Sequence, residues 1–171
     1  MLIRLNHLEK GMDVTYQDIQ QQYRLMQKKY GERRTVLQQN AYSLIAEYKE
    51  SLDLKSDTWR DSKGEDKPYV TTGRLNDNGE YQRKPISALD LDDSISLKFV
   101  VSTVIDDTLL GGAHYLINIA MRYEHGFLTV DIGAGKKEVM IASPDESGAY
   151  SEVCSSIKQL ILSGVIDPRL D

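Results

Sequence analysis

Four residues in the second half of the chain have types and spacing that suit chemistry: Asp92, Asp93, Glu124 and His125. The two aspartates precede an apolar run at 94–105, and Glu124 and His125 close another at 113–123. If these runs pair as antiparallel strands, three carboxylates and an imidazole meet at one end of a sheet. Such donors hold a divalent cation such as Mg²⁺ or Mn²⁺, or form an acid–base group. A small metal-dependent or acid–base enzyme is the reading that follows. Solvated turns are also commonly built of Asp, Glu and His, and that plainer reading is the stronger one. Asp106, Asp107 and His114 converge in the same way at the other end. A 12-residue strand separates the two groups by roughly 36–40 Å, so they cannot combine.

Other motifs say less. Gly133-Ala134-Gly135-Lys136-Lys137 superficially resembles a phosphate loop, but no Gly stands five positions before Gly135, Lys137 replaces Ser or Thr, and a strand follows. Backbone N–H groups at a helix start are therefore missing, and a hairpin turn is expected. Cys154 sits on the apolar face of an expected helix, where a thiol is core rather than nucleophile. No GxSxG or similar signature links the Ser, His and Asp residues. Arg24, Lys28, Lys29, Arg33 and Arg34 form a basic block near Tyr23 and Tyr30. Basic residues among aromatics can bind single-stranded nucleic acid. Here Lys28 and Lys29 point away from the tyrosines, so a solvated helix face is expected instead.

The elements that position these residues follow from periodicity. In residues 94–105, Ile95, Leu97, Phe99, Val101 and Ile105 alternate to one face, and in 113–123 Ala113, Tyr115, Ile117, Ile119, Met121 and Tyr123 do the same. Pairing Ile105 with Ala113 sets apolar against apolar down to Ile95 against Tyr123. Leu128, Val130 and Ile132 continue the face, which requires a two-residue turn or a bulge at Gly126. Residues 137–142 supply a last strand. Residues 69–75 and 80–86, joined across Asn76-Asp77-Asn78-Gly79, read as a polar hairpin, and Pro85 places it at the sheet edge. On the back of the sheet Val100, Val104, Leu116 and Phe127 interrupt an otherwise polar face. Ser143-Pro144-Asp145-Glu146 offers an N-cap and capping box for a C-terminal helix, with Gly164 as its stop. Tyr150, Val153, Cys154, Ile157, Leu160 and Ile161 form its apolar face, sized to cover the sheet.

The longest element lies at the other end. From Asp13 to Leu52, Tyr16, Ile19, Tyr23, Met26, Tyr30, Leu37, Ala41, Leu44, Ile45, Tyr48 and Leu52 fall in a stripe about 100° wide, the mark of a helix burying one face. Asp13 or Thr15 can cap it. Counting Arg34 as a gap-filler, the spacing repeats as 3-4-3-4-4, a period of 3.6 that argues for a straight helix on a surface. Gly31 after Lys28 and Lys29, with Thr35 and Gln38 as a second capping box, offers the alternative of an αα-hairpin broken near Gly31. The unbroken apolar phase favours one helix. Leu2, Ile3, Leu5 and Leu8 read equally as a short strand or a helical lead-in.

The expected fold class is α+β: this long helix, an antiparallel β-meander of about 5–6 strands, and a C-terminal helix packed on one face. Residues 1–54 form the helical segment, 55–67 a charged connector around Trp59, and 68–171 the sheet with its helix. The 171 residues carry 40% apolar and 27% charged side chains, enough for a substantial core. Ten tyrosines against two phenylalanines suit half-buried faces and interfaces. Residues 1–86 hold 15 basic and 13 acidic side chains, residues 87–171 hold 6 and 13. Nucleic acid is thus disfavoured as a partner of the acidic half. No stretch approaches a membrane span, one cysteine forms no internal disulfide, and the expected location is cytoplasmic. No cofactor is expected.

A helix of about 39 residues would be roughly 58 Å long, more than the rest of the chain can cover. Its uncovered part, Tyr16, Ile19, Tyr23, Met26 and Tyr30, is the expected interface. The leading expectation is a non-enzymatic protein–protein interaction module, of adaptor, chaperone or immunity type, that forms a homo-oligomer through this stripe.

Overall fold

The computed structural model describes residues 13–171; the segment holding Leu2, Ile3, Leu5 and Leu8 lies outside them. The first element, α1, runs without a break from Tyr16 to Ser51. Thr15 is its cap: the Thr15 amide and hydroxyl donate to Asp18 Oδ2 at 2.8 and 2.7 Å, and the Asp18 amide donates back to Thr15 Oγ1 at 3.3 Å. This reciprocal pair satisfies amides that helix geometry leaves unpaired. The hairpin alternative fails at the residues that suggested it. Thr35 Oγ1 donates to the Gly31 carbonyl one turn back, and Gln38 Nε2 donates to the Leu89 carbonyl. Neither side chain is left to cap a second helix.

The described residues divide into two units, with the boundary between Thr35 and Val36 inside α1. In the larger unit a small hairpin joins β1 (Thr58–Arg60) to β2 (Asp66–Pro68). The connector of residues 55–67 is therefore not plain coil: Asp61 Oδ1 accepts from the Lys63 and Glu65 amides and closes its turn. A six-stranded antiparallel sheet follows, built of β3 (Val70–Leu75), β4 (Tyr81–Arg83), β5 (Leu97–Val104), β6 (His114–Glu124), β7 (Phe127–Ile132) and β8 (Lys137–Ile141). The strand order is β4-β3-β5-β6-β7-β8, which puts the polar hairpin at an edge.

Register follows the hydrophobic pattern. Val104 pairs with His114 and Leu97 with Met121, and the Ile105 amide donates to the Ala113 carbonyl at 2.8 Å. Glu124 pairs with Phe127 across a two-residue turn in which His125 and Gly126 both have positive φ, 51° and 81°. That primed turn keeps Leu128, Val130 and Ile132 on the apolar face. Ile95 departs from expectation. It has φ 58° and is exposed, because Asp92 Oδ1 accepts from the Ser94 and Ser96 amides and curls the backbone into a turn; the strand starts at Leu97.

One face of the sheet is covered by α1 from Leu37 onward and by α2 (Ser151–Val165). Leu37, Leu44 and Tyr48 are fully buried there with Leu97, Met121, Val130 and Ile157. Each such side chain contributes roughly 1.5–3 kcal/mol by leaving water. Asn40 Nδ2 donates to the Tyr123 hydroxyl, and Lys158 Nζ of α2 donates to the Ser51 carbonyl at the end of α1. That contact places a cation where the helix leaves its carbonyls unpaired.

The C-terminal helix starts later than Ser143 suggests. Residues 143–150 form successive turns instead, and Gly148, with φ 76°, takes a conformation no helix continues through. Gly164 is not the stop, since α2 runs to Val165; a Cβ there would overlap the Tyr115 ring, so its role is close packing.

Candidate functional site

Two surfaces carry the residues with functional promise, one on α1 and one on the uncovered face of the sheet. On α1, Tyr16, Ile19, Tyr23 and Met26 are 73%, 57%, 55% and 51% exposed. In sequence phase they continue the stripe whose later members, Leu37, Ala41, Leu44 and Tyr48, have no exposure at all. Tyr30 is half-buried. Gln27 Nε2 donates to the Tyr23 hydroxyl at 2.8 Å, which meets the polar need of the ring while its face stays open. Asp18 is held below the usual carboxylate range by the Thr15 hydroxyl and amide. It also stands where a helix start favours negative charge.

On the sheet, Asp92 and Glu124 do line one groove, together with Arg74, Lys98, Asn118, Arg122 and Asp131. Both carboxylates, Asp92 and Glu124, are already held by cations. Lys98 Nζ lies 2.8 Å from Asp92 Oδ2, while Asp92 Oδ1 takes the Ser94 hydroxyl and two amides. Burial alone would raise the Asp92 carboxyl, but Lys98 and the Ser94 and Ser96 donors outweigh it and leave it well below the ordinary value. Arg122 bridges Glu124 at 2.8 Å and Glu138 at 3.1 Å, and its hydrogen bond is the main reason the Glu124 carboxyl is depressed. Asp93 is exposed beside this turn, and His125 occupies the β6–β7 turn. Carboxylates held by cations are poorly placed to serve as metal ligands or as a general base. Among the described residues no group of three or more His, Cys, Asp or Glu side chains is placed to hold a metal ion.

The remaining candidates are equally committed. Asp106 Oδ1 accepts from the Thr108 amide and hydroxyl, and the Tyr69 hydroxyl donates to Asp107 Oδ2 at 2.6 Å. His114 packs against the Tyr81 ring, centroids 6.0 Å apart. Gly133, Ala134 and Gly135 all have positive φ and connect β7 to β8 as a hairpin turn, closed by the Gly135 amide on Asp131 Oδ1. Cys154 is buried, its thiol 3.8 Å from Glu47 Oε2; burial and the Glu47 charge push its pKa up to about 11. Thiolate chemistry is thereby suppressed.

No protein-family model matches the chain, and no curated protein or solved structure matches it either. Its functional reading therefore rests on side-chain geometry. No helix among the described residues is long and apolar enough to cross a membrane.

Two residues absent from the sequence argument, Lys98 and Arg122, decide the character of the sheet groove. A signal for Arg122 exists: it stands two residues before Glu124 in a strand, and residues i and i+2 share a face. Lys98 falls on the face opposite the Leu97–Phe99–Val101 alternation by the same rule. Of the back-face apolar residues, Val100 is buried and Phe127 exposed, with Val104 and Leu116 between.

Proposed function

We propose that this protein is a non-enzymatic interaction module that associates with a second copy of itself through the Tyr16–Met26 face of α1. The observation that carries this reading is the exposure of Tyr16, Ile19, Tyr23 and Met26 on one stripe of a capped helix. Large apolar side chains scattered singly over a surface are ordinary, but a contiguous row of them is what interfaces are made of. Tyr and Met are enriched at interface cores, where charged residues are depleted, and this row contains no charge. The ion pairs in the sheet groove support the same reading, because they neutralise Asp92 and Glu124, the carboxylates that a metal site or acid–base group there would use.

An adaptor, chaperone or immunity-type protein works in this way, with the acidic α+β body presented to a further protein. A reducing compartment such as the cytoplasm suits the single buried thiol. Light scattering on the purified chain tests the reading. The expected result is a mass above that of one chain, returning to one chain in Tyr23→Glu. A wild-type monomer would remove the self-association.

A further inference from the structure

Within the exposed part of α1 the apolar residues keep the same alternating interval that Leu37, Ala41, Leu44 and Tyr48 keep where they are buried. Tyr16, Ile19, Tyr23, Met26 and Tyr30 follow a 3-4-3-4 interval. Over two heptads this interval fits the seam of a paired helix. The tyrosines take every seventh position, and Ile19 and Met26 take the positions between them.

We propose that two copies of the chain pair antiparallel along α1, with Tyr16 against Met26 and Ile19 against Tyr23. The two-fold axis then crosses the seam between Ile19 and Tyr23, and the seam has four layers, each joining one tyrosine ring to one slimmer aliphatic or thioether side chain. Facing large residues with small ones is how layers interdigitate at native density. A parallel pair in register would stack tyrosine on tyrosine at residues 16 and 23 and leave thinner layers at 19 and 26.

Charge points the same way. Between Thr15 and Gln27 the only charged residues are Asp18 and Arg24, both turned more than about 100° from the centre of the stripe. The seam is flanked instead by Gln20, Gln22 and Gln27, so it meets its own copy without like charges opposed. Further out, Asp13 and Asp18 lie at the start of the segment, while Arg24, Lys28, Lys29, Arg33 and Arg34 lie toward its end with a single acid, Glu32, 3.9 Å from Lys28. Antiparallel pairing sets the acidic end of one copy beside the basic end of the other; parallel pairing sets basic beside basic. Opposed helix dipoles add to the preference.

This inference rests on the self-association proposed above and fixes its orientation. Cysteine cross-linking of the full chain tests it, because the native Cys154 is buried and leaves the introduced thiols as the reactive ones. In the antiparallel pair, residue 16 of one copy lies roughly 15 Å along the axis from residue 16 of the other, beyond disulfide reach. Tyr16→Cys alone and Met26→Cys alone should therefore stay unlinked on mild oxidation, while their equimolar mixture yields a disulfide-linked dimer. Linked dimers of each single variant would overturn the orientation and leave self-association standing. No linkage in any sample, from a protein that light scattering shows to be dimeric, would move the interface off this seam. A monomeric wild type would overturn both readings together.

Discussion

The Tyr48 hydroxyl and Thr103 Oγ1 share a 2.7 Å hydrogen bond in the core, joining α1 to β5 where the two residues are 0% and 7% exposed. Burial raises the Tyr48 phenol, and the bond to Thr103 opposes that rise without cancelling it. A second buried tyrosine, Tyr150, offers the contrast: its hydroxyl has no hydrogen-bond partner among the described residues. Tyr48→Phe should cost about 1–2 kcal/mol, because it strands the Thr103 hydroxyl. Tyr150→Phe should be neutral within about 0.5 kcal/mol or stabilising, since it removes a buried polar group that nothing satisfies. Urea denaturation of the two variants checks the pair.

Two glycines separate conformational cost from packing. A Cβ at Gly31 in the middle of α1 meets nothing within 4 Å. Gly31→Ala should strengthen the helix by about 0.5–1 kcal/mol, read as slower amide exchange between Tyr23 and Thr35. At Gly73 a Cβ would run into the Gln82 backbone across the β3–β4 pair. Gly73→Ala should cost about 1–3 kcal/mol, because neither strand can move without breaking ladder hydrogen bonds. Faster exchange in Gly31→Ala would contradict the unbroken helix.

Acid should act through Asp92. Its folded-state carboxyl lies below the unfolded value near 3.8, so it adds stability above that pH and loses it as pH falls toward the folded value. Asp92→Asn should be less stable than wild type at neutral pH. The gap should narrow progressively below about pH 4 as the wild-type carboxyl takes up its proton. A gap that holds constant from neutral pH to about pH 2 would mean that the Asp92 charge, held by Lys98 and the Ser94 and Ser96 donors, contributes nothing.

The buried Cys154 thiol, with its pKa raised to about 11, should resist alkylation in the native state. Mass spectrometry after iodoacetamide treatment should find it unmodified at neutral pH and fully modified in denaturant. Rapid native labelling would contradict its place in the core.

Much of this fold was legible in the sequence because burial imposes periodicity. The pairing of Ile105 with Ala113, the two-residue turn at His125-Gly126 and the unbroken stripe through Gly31 all follow from which residues must face inward. What failed was local signalling that tertiary structure overrode. Ser143-Pro144-Asp145-Glu146 has the chemistry of a helix start, yet Gly148 takes a left-handed turn and α2 begins at Ser151. Ile95 fits the strand alternation, but Asp92 claims the backbone around it. The β1–β2 hairpin leaves no periodic signal because its strands are only three residues long. At the sheet end, sequence brought Asp92 and Glu124 to one groove, while the cations that neutralise them, Lys98 and Arg122, become visible only once strand parity is read for polar residues as well as apolar ones.

The exposed tyrosine row on α1, proposed above as an interface between copies of this chain, is open to one decisive comparison. Sedimentation velocity over a range of concentrations, comparing wild type, Tyr23→Glu and Met140→Glu, tests it most directly. Met140 is the control, a 58% exposed apolar residue on β8. The account predicts a concentration-dependent dimer for wild type and Met140→Glu and a monomer for Tyr23→Glu. A sedimentation profile unchanged by Tyr23→Glu would contradict it.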